Sequence, residues 1–264
     1  GFHCGTEGVA IPTLVSSFVA AFIIIKLLLK DKWTLHLERT FRFNPDWSMI
    51  RKILSVGIPN GLENSMFQLG KVLVLSLVST FGTYAIAANA VSNVITLFSI
   101  LPGQAICLAV TTVIARCVGA GDYEQAKYYN KKLILLTHIG MAITISIVFI
   151  TLPFILKVYN LSEAASEATR HIIWFHGCCA VLIWAESFTL PATFRACGDA
   201  KACMIISTVS MWIFRVGASY ILGKNLGLGV FGVWVAMIID WAFRSLLFGI
   251  RYFSGKWKKH ALVS

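Results

Sequence analysis

The stretch LILLTHIGMAITISIVFITLPFILKV, residues 133–158, decides the fold class, because no Asp, Glu, Lys or Arg occurs in it before Lys157. A helix needs about 20 mostly apolar residues to cross a bilayer, whereas strands of a membrane β-barrel are about 10 residues of alternating polarity. Backbone groups in lipid must also be hydrogen-bonded within the protein. The stretch therefore predicts a transmembrane α-helix.

Six more stretches of this kind occur along the chain, separated mostly by short turns that contain glycine or asparagine. The seven stretches are Val9–Leu29, Ile53–Thr80, Tyr84–Ala115, Leu133–Val158, His171–Thr193, Met204–Leu222 and Val230–Tyr252. The composition agrees, with 57% hydrophobic and 13% charged residues, against about 45–50% and about 25% in soluble domains. We predict an all-α polytopic membrane protein with seven transmembrane helices.

The basic residues are concentrated on one predicted side of the membrane. The net charge is +11, and most Lys and Arg lie in alternate segments, namely 30–52, 116–132, 195–201 and 251–264. Cytoplasmic loops carry such an excess. We therefore predict a multi-pass protein of the plasma membrane, in contact with lipid, with its amino end outside and its carboxyl end in the cytoplasm. A nucleic-acid partner is not expected, since no basic stripe with interleaved aromatic residues appears.

The connection after the first predicted helix is long and polar, which predicts a boundary between two helical bundles. We interpret residues 1–30 as the last helix of an otherwise missing N-terminal lobe, 31–46 as a cytoplasmic linker, and 47–264 as a six-helix C-terminal lobe. GVAI at 8–11 and GVWV at 232–235 open the first and last helices, which suits a two-lobe repeat or a chance similarity. Because the chain begins with Gly1 rather than Met, we expect a piece of a longer protein, with the missing lobe as its partner.

Two cytoplasmic turns resemble each other, RCVGAGD at 116–122 and RACGD at 195–199. In each, we expect a glycine to end a helix in the left-handed conformation and the aspartate to cap the next helix. Neither an enzyme nor a bound cofactor is expected, since no nucleophile elbow, P-loop or HExxH motif is present. The seven cysteines have no metal-ligand spacing.

Polar residues inside the predicted spans mark the candidate site, because a charge at the bilayer centre costs roughly 2.5–3.5 kcal/mol on insertion scales. The candidate ion-coupling and substrate-binding residues are Glu63, Asn64, Gln68, Lys71, Glu186, Arg215 and Asp240. Glu63 follows GIPNG at 57–61, a loosened helix start that suits the wall of a cavity. Glu63 and Lys71 lie roughly 12 Å apart along a helix, so Glu63 needs another partner, water or a bound cation.

The other candidates leave alternatives open. Asp240 and Arg244 are spaced to pair on one helix face, as a structural pair or as a contact for a cationic ligand. Glu186 precedes Pro191 and either pairs with Arg215 or lines a cavity. His138, His171 and His176 are too scattered for a metal site, which favours ordinary packed or interfacial histidines.

The order and spacing of several motifs resemble the MATE family (multidrug and toxic compound extrusion). TLPATFRACGDA at 189–200 resembles that family's "LRxxGD" signature, and GIPNGLENS at 57–65 resembles the opening of its seventh helix. AANA at 87–90 and VGAGD at 118–122 resemble its eighth helix and the following turn. The resemblance covers nearly the whole chain, as helices six to twelve of a twelve-helix protein.

This resemblance implies a secondary antiporter that exports organic, often cationic, compounds in exchange for Na⁺ or H⁺. An acid, Glu63 first and Asp240 or Glu186 second, would hold the coupling cation and release it as a small organic cation binds. Acids of the sodium-coupled members align with Phe67 and Trp184 here, so the identity of the coupling ion is left open.

Two alternatives to an exporter remain. A lipid-linked oligosaccharide flippase of the same superfamily would need several basic residues around its cavity, for which Lys71 and Arg215 are the candidates. A non-transporting membrane subunit is the other.

Overall fold

The structure is a computed structural model that describes residues 7–29, 45–255 and 257. Within these residues every regular element is a helix, which confirms the all-α prediction. The α-helices are α1 (Glu7–Leu28), α2 (Trp47–Ser79), α3 (Thr83–Gly119), α4 (Tyr123–Tyr159), α5 (Glu163–Trp184), α6 (Leu190–Ala196), α7 (Ala200–Ser210) and α8 (Gly229–Phe253). Three π-helical segments join or extend them, Ala185–Thr189, Met211–Gly217 and Tyr220–Asn225.

These elements form seven long helices, because the π-helical segments continue their neighbours. Six are long and apolar enough to span a membrane: Ile11–Leu28, Thr83–Gly119, Tyr123–Tyr159, Glu163–Ala196, Ala200–Asn225 and Gly229–Phe253. The seventh, α2, has 33 residues, which is also long enough. Its apolar character is lower because Glu63, Asn64, Gln68 and Lys71 follow one another within little more than two turns.

The chain divides into two compact units, Gly1–Trp47 and Ser48–Ser264. The first unit contains α1, whose apolar side chains are exposed almost throughout. The second unit contains α2 to α8 and the π-helical segments. The predicted linker, residues 31–46, lies outside the described residues except for its last two positions.

The two resembling turns share their glycine conformation but differ in their aspartates. Gly121 and Gly198 have φ angles of 74° and 86°, so both glycines adopt the left-handed conformation as predicted. Asp122 caps α4 and accepts a hydrogen bond from the Gln125 N–H at 2.9 Å. The prediction that Asp199 caps the next helix is wrong, because its side chain makes no capping bond.

Asp199 has another partner, which fastens this turn to the end of α8. Its carboxylate accepts a hydrogen bond from Arg251 Nε at 2.6 Å. The neighbouring Cys197 is buried, and this burial, with the Asp199 carboxylate, raises the pKa of its thiol to about 12. Cys197 therefore stays protonated and acts as a packing residue of the turn.

Small residues let the helices of the second unit approach closely, as is usual in membranes. A Cβ added to Gly103 on α3 would lie 2.3 Å from the Trp184 ring. A Cβ added to Gly232 on α8 would lie 2.8 Å from the backbone of Leu222. Glycine is therefore required at both contacts, and the first of them holds Trp184 against α3.

Pro191 accounts for the irregular stretch between α5 and α6. Proline has no N–H and cannot bond to the carbonyl four residues earlier, which here belongs to Ser187. The preceding turn widens into the π-helical segment Ala185–Thr189, closed by the Leu190 N–H and the Ala185 carbonyl. Arg244 Nη2 donates a hydrogen bond of 3.5 Å to the carbonyl oxygen of Ser187, the carbonyl that Pro191 cannot bond. Such widened turns occur often at functional sites, and this one carries Glu186.

Candidate functional site

Glu63 is held by the arginine of the signature-like motif. Arg195 Nη2, in the last turn of α6, lies 2.7 Å from Glu63 Oε1 and 2.8 Å from Oε2. The Glu63 side chain is only 10% exposed. The sequence predicted that Glu63 needs a partner other than Lys71, and Arg195 is that partner. The sequence placed Arg195 beside a turn and did not connect it to Glu63. The pair joins α2 to α6.

Asp240 and Arg244 form the predicted pair on α8, at a long distance. Arg244 Nη1 lies 3.9 Å from Asp240 Oδ2, and Ser210 Oγ donates a shorter hydrogen bond of 2.5 Å to Asp240 Oδ1. The Arg244 guanidinium lies 4.7 Å from the centre of the Phe188 ring. Asp240 has no exposed side-chain surface, so in this conformation it offers nothing to a ligand.

Glu186 pairs with His138 of α4. Of the two alternatives that the sequence left open, pairing with Arg215 is not found in the described part of the chain, and Glu186 is not among the lining residues of the cavity that contains Arg215. His138 Nε2 lies 2.9 Å from Glu186 Oε1, and His138 Nδ1 lies 2.7 Å from the Val181 carbonyl oxygen. The two side chains are 27% and 32% exposed, less buried than the Asp240 pair.

The two short distances of His138 indicate which of its ring nitrogens donates a hydrogen bond. A carbonyl oxygen only accepts hydrogen bonds, so Nδ1 carries a proton and donates it to Val181. The bond between Nε2 and Oε1 then needs a second proton, on the imidazole or on the carboxyl group. Without that proton, a nitrogen lone pair would face a carboxylate at 2.9 Å. The His138–Glu186 hydrogen bond therefore connects α4 to the π-helical segment Ala185–Thr189 through a proton on one of its two groups.

Lys71 and Arg215 line the same cavity. The cavity has a volume of about 730 Å³, and α2, α3, α5, α8 and two π-helical segments contribute its walls. Lys71 Nζ lies 5.0 Å, and the Arg215 guanidinium 5.1 Å, from the centre of the Phe67 ring. Arg215 Nη2 donates to the Met237 sulfur at 3.1 Å. Among the described residues that line this cavity, none is Asp or Glu.

Asn64 and Gln68 lie on the exposed side of α2. Together with Asn60 and Lys71 they are spaced four, four and three residues apart, which places them along one face of the helix. Asn64 Nδ2 donates to the Asn60 carbonyl oxygen at 3.0 Å. The face is therefore a polar stripe, and in pure lipid it would be costly.

The seven predicted residues do not form one site. The structure brings Lys71 and Arg215 together, while Glu63, Glu186 and Asp240 each belong to a separate pair. Sequence reasoning missed the roles of Arg195, His138 and Ser210. The motif around Arg195 was a usable signal, whereas His138 and Glu186 lie 48 positions apart with nothing in either segment to link them.

A bundle of long apolar helices that buries paired charges and encloses a cavity lined by aromatic side chains has the architecture of a multi-pass membrane protein. The family model described as MatE matches residues 59–221. The chain belongs to this family, which confirms the resemblance found in its motifs.

Individual relatives agree with this assignment. The chain is 27% identical over 262 residues to "Probable multidrug resistance protein NorM" of Thermotoga maritima, covering 98% of the chain and 55% of that protein. It is 25% identical over 261 residues to "Probable multidrug resistance protein YoeA" of Bacillus subtilis, covering 98% and 56%. An outward-facing MATE family transporter of the MOP superfamily matches with a TM-score of 0.85 at 20% identity, covering 97% and 58%. The chain thus spans about half the length of the curated relatives it matches.

Proposed function

We propose that this chain supplies the second lobe of an antiporter that exports organic compounds across the plasma membrane in exchange for a cation. Family membership and the multidrug resistance names of its relatives support this proposal. A first lobe would complete the transporter, and rocking of the two lobes would alternate access. The basic segments favour an amino end outside and a carboxyl end in the cytoplasm.

The polar stripe on α2 supports an aqueous path beside this lobe. Asn60, Asn64, Gln68 and Lys71 carry donors and acceptors that the second unit leaves largely exposed. Polar groups of a membrane helix are tolerated where the helix faces water or protein. We therefore assign this face to the transport pathway rather than to lipid.

We assign the coupling ion as H⁺ and its carrier as the His138–Glu186 pair, and the hydrogen bond between these residues carries this proposal. Glu63 and Asp240 face arginines, which stay charged at every physiological pH. Glu186 instead faces an imidazole, the side chain that most readily gains and loses a proton near neutral pH. In the part of the chain that the structure describes, no other charged residue forms an ion pair with either group.

Loss of the proton would change the contact between two helices. With the proton present, the Nε2–Oε1 bond ties α4 to the segment Ala185–Thr189. Once the proton leaves, the nitrogen lone pair and the carboxylate repel each other. Because Pro191 has already loosened this segment, it is the part of the lobe best suited to shift with protonation.

Replacing Glu186 by Gln in the full-length protein tests this assignment. Gln keeps a hydrogen-bond partner for His138 but has no carboxyl group to share the proton. We expect proteoliposomes with Glu186→Gln to lose pH-driven uptake of both naphthalenesulfonate and naphthyltrimethylammonium, two aromatic probes of opposite charge. Glu167→Gln, on the exposed surface of α5, is the matched control and should transport as the wild type does. Wild-type pH-driven uptake by Glu186→Gln, or uptake driven by Na⁺ alone, would contradict the assignment.

The flippase stays as a second candidate because Lys71 and Arg215, the two candidates for the several basic residues that it requires, line one cavity. It predicts movement of a fluorescent polyprenyl pyrophosphate between the leaflets of a proteoliposome. An exporter of small compounds predicts no such movement.

A further inference from the structure

We propose that the aromatic cavity of this lobe binds an organic anion, a sulfonate, carboxylate or phosphate attached to a flat apolar body. This inference names a substrate class and, for export, rests on the proposed function. Binding itself does not depend on that function. The expected cationic substrate is replaced because the cavity presents two cations and, among its described lining residues, no carboxylate.

The two cations are the first reason. Arg215 is partly buried and Lys71 is exposed. A buried Arg is normally paired with an acid, but within residues 45–255 neither Arg215 nor Lys71 is part of an ion pair. Lys71 has the Phe67 ring beside it, whereas Arg215 has the Phe67 ring, the Met237 sulfur and the electrostatic attraction of the buried Asp240 carboxylate. Asp240 does not line the cavity, so both cations face it without a carboxylate among the described lining residues.

The positions of these charges are the second reason. Each lies about 5 Å from the centre of the same Phe67 ring, so the two charges are no more than about 10 Å apart, and both line the cavity that the anionic end of a ligand would enter. Arginine offers a planar pair of donors that matches a carboxylate or phosphate edge. Lysine adds a flexible donor from the exposed side of α2.

The walls of the cavity are the third reason, because they determine what the rest of the ligand must be. Four large aromatic side chains line it besides Phe67: Trp184, Phe188, Trp234 and Trp241. The Trp184 and Phe188 rings stack with centres 5.0 Å apart. A volume of about 730 Å³ lies in the range of small-molecule sites, about 300–1,000 Å³. A bare inorganic ion would leave these apolar walls unused, whereas a flat aromatic body would cover them.

Binding to the purified full-length protein in phosphatidylcholine nanodiscs tests the proposal. Naphthalenesulfonate and naphthyltrimethylammonium share one ring system and differ in charge, so calorimetric titration isolates the effect of charge. We expect the sulfonate to bind more tightly, and Lys71→Gln and Arg215→Gln each to weaken it about tenfold to a hundredfold, the value of a hydrogen bond to a charged group. Lys224→Gln, an exposed charge on the same span as Arg215, should leave the affinity unchanged.

The remaining outcomes are also decisive. Equal binding of both probes, no binding of either, or sulfonate binding that ignores Lys71→Gln would overturn the proposal. Should Arg215→Gln fail to fold, Lys71→Gln decides, because Lys71 is exposed and its loss removes no core packing. Lys71→Glu is expected to favour the cationic probe.

Two further measurements distinguish this inference from lipid binding and from the proposed function. An anionic lipid headgroup has the same chemistry as the proposed ligand, so the titration is repeated in phosphatidylglycerol nanodiscs. An unchanged affinity for naphthalenesulfonate supports a free organic anion as the ligand. Loss of naphthalenesulfonate binding indicates that lipid occupies the cavity. Anion-selective binding without pH-driven uptake would leave the inference standing while the proposed function fails. Uptake driven by pH with no preference for the anionic probe would support the proposed function and overturn the inference about the substrate.

Discussion

At the scale of single residues, most charges inside this lobe are paired, and the pairs determine which of them can act. Sequence reasoning predicted the charged residues because each stands out in an apolar stretch. It predicted the Asp240–Arg244 pair because four residues separate its members on one helix. It could not predict the Glu63–Arg195 pair, whose members lie 132 positions apart, since only tertiary packing brings α2 against α6.

The Glu63–Arg195 pair gives a prediction about stability. Glu63→Gln leaves a largely buried guanidinium without its carboxylate, which should lower the free energy of unfolding by roughly 3 kcal/mol, the low end for buried pairs, because Arg195 keeps 26% of its side chain exposed. Arg195→Gln should cost a similar amount. Thermal or denaturant unfolding of the full-length protein in detergent measures both.

A double-mutant cycle provides the control for this pair. The double variant Glu63→Gln with Arg195→Gln should cost less than the two single changes added together, because the second change removes the uncompensated charge. If Glu63→Gln keeps the stability of the wild type but loses transport, the pair is not structural. That result would support the coupling role that the sequence predicted for Glu63.

At the scale of helices, the apolar stretches predicted the number and type of elements well and their ends less well. α4 begins at Tyr123, ten residues before its apolar stretch begins at Leu133. The polar and charged residues 123–132 are helical as well, so the helix extends beyond the apolar stretch. The π-helical segments were not predicted, since apolar composition does not distinguish a widened turn from a regular one. Only Pro191 gave a local signal for the first of them.

Glycines on α8 give a prediction at this scale. A methyl group at Gly232 meets the Leu222 backbone at 2.8 Å, so Gly232→Ala should lower the free energy of unfolding by about 1–3 kcal/mol, the usual cost of overpacking. Gly249 lies on the same helix with nothing within 4 Å of an added Cβ. Gly249→Ala should therefore stabilise slightly, by up to about 1 kcal/mol, through helix propensity. Equal melting temperatures for the two variants would contradict the close contact.

At the scale of the whole molecule, the proposed proton site and the positively charged cavity share one element, the segment Ala185–Thr189. Glu186 does not line the cavity, which Phe188, two residues later, does. A shift of the segment Ala185–Thr189 on deprotonation would therefore move part of the cavity wall. In this way a proton and an organic anion can influence each other without sharing a binding position.

The charges of the two ligands determine how the transporter would use a membrane potential. Export of a monovalent anion in exchange for one inward proton moves two positive charges inward, each worth about 2.3 kcal/mol per 100 mV. Export of a monovalent cation for one proton would move none. We therefore expect an inside-negative potential to accelerate naphthalenesulfonate export from proteoliposomes loaded with it, and voltage-independent export would contradict an anionic substrate.

We propose above that substrate moves in exchange for a proton held between His138 and Glu186. The most direct test of this exchange is to record pH inside proteoliposomes of the full-length protein while a gradient of either naphthyl probe drives exchange, with no pH gradient imposed and the membrane potential held at zero. We expect internal acidification as the transported probe leaves, and none with Glu186→Gln. Probe efflux from the wild type without any change in internal pH, or equal acidification by both proteins, would contradict it.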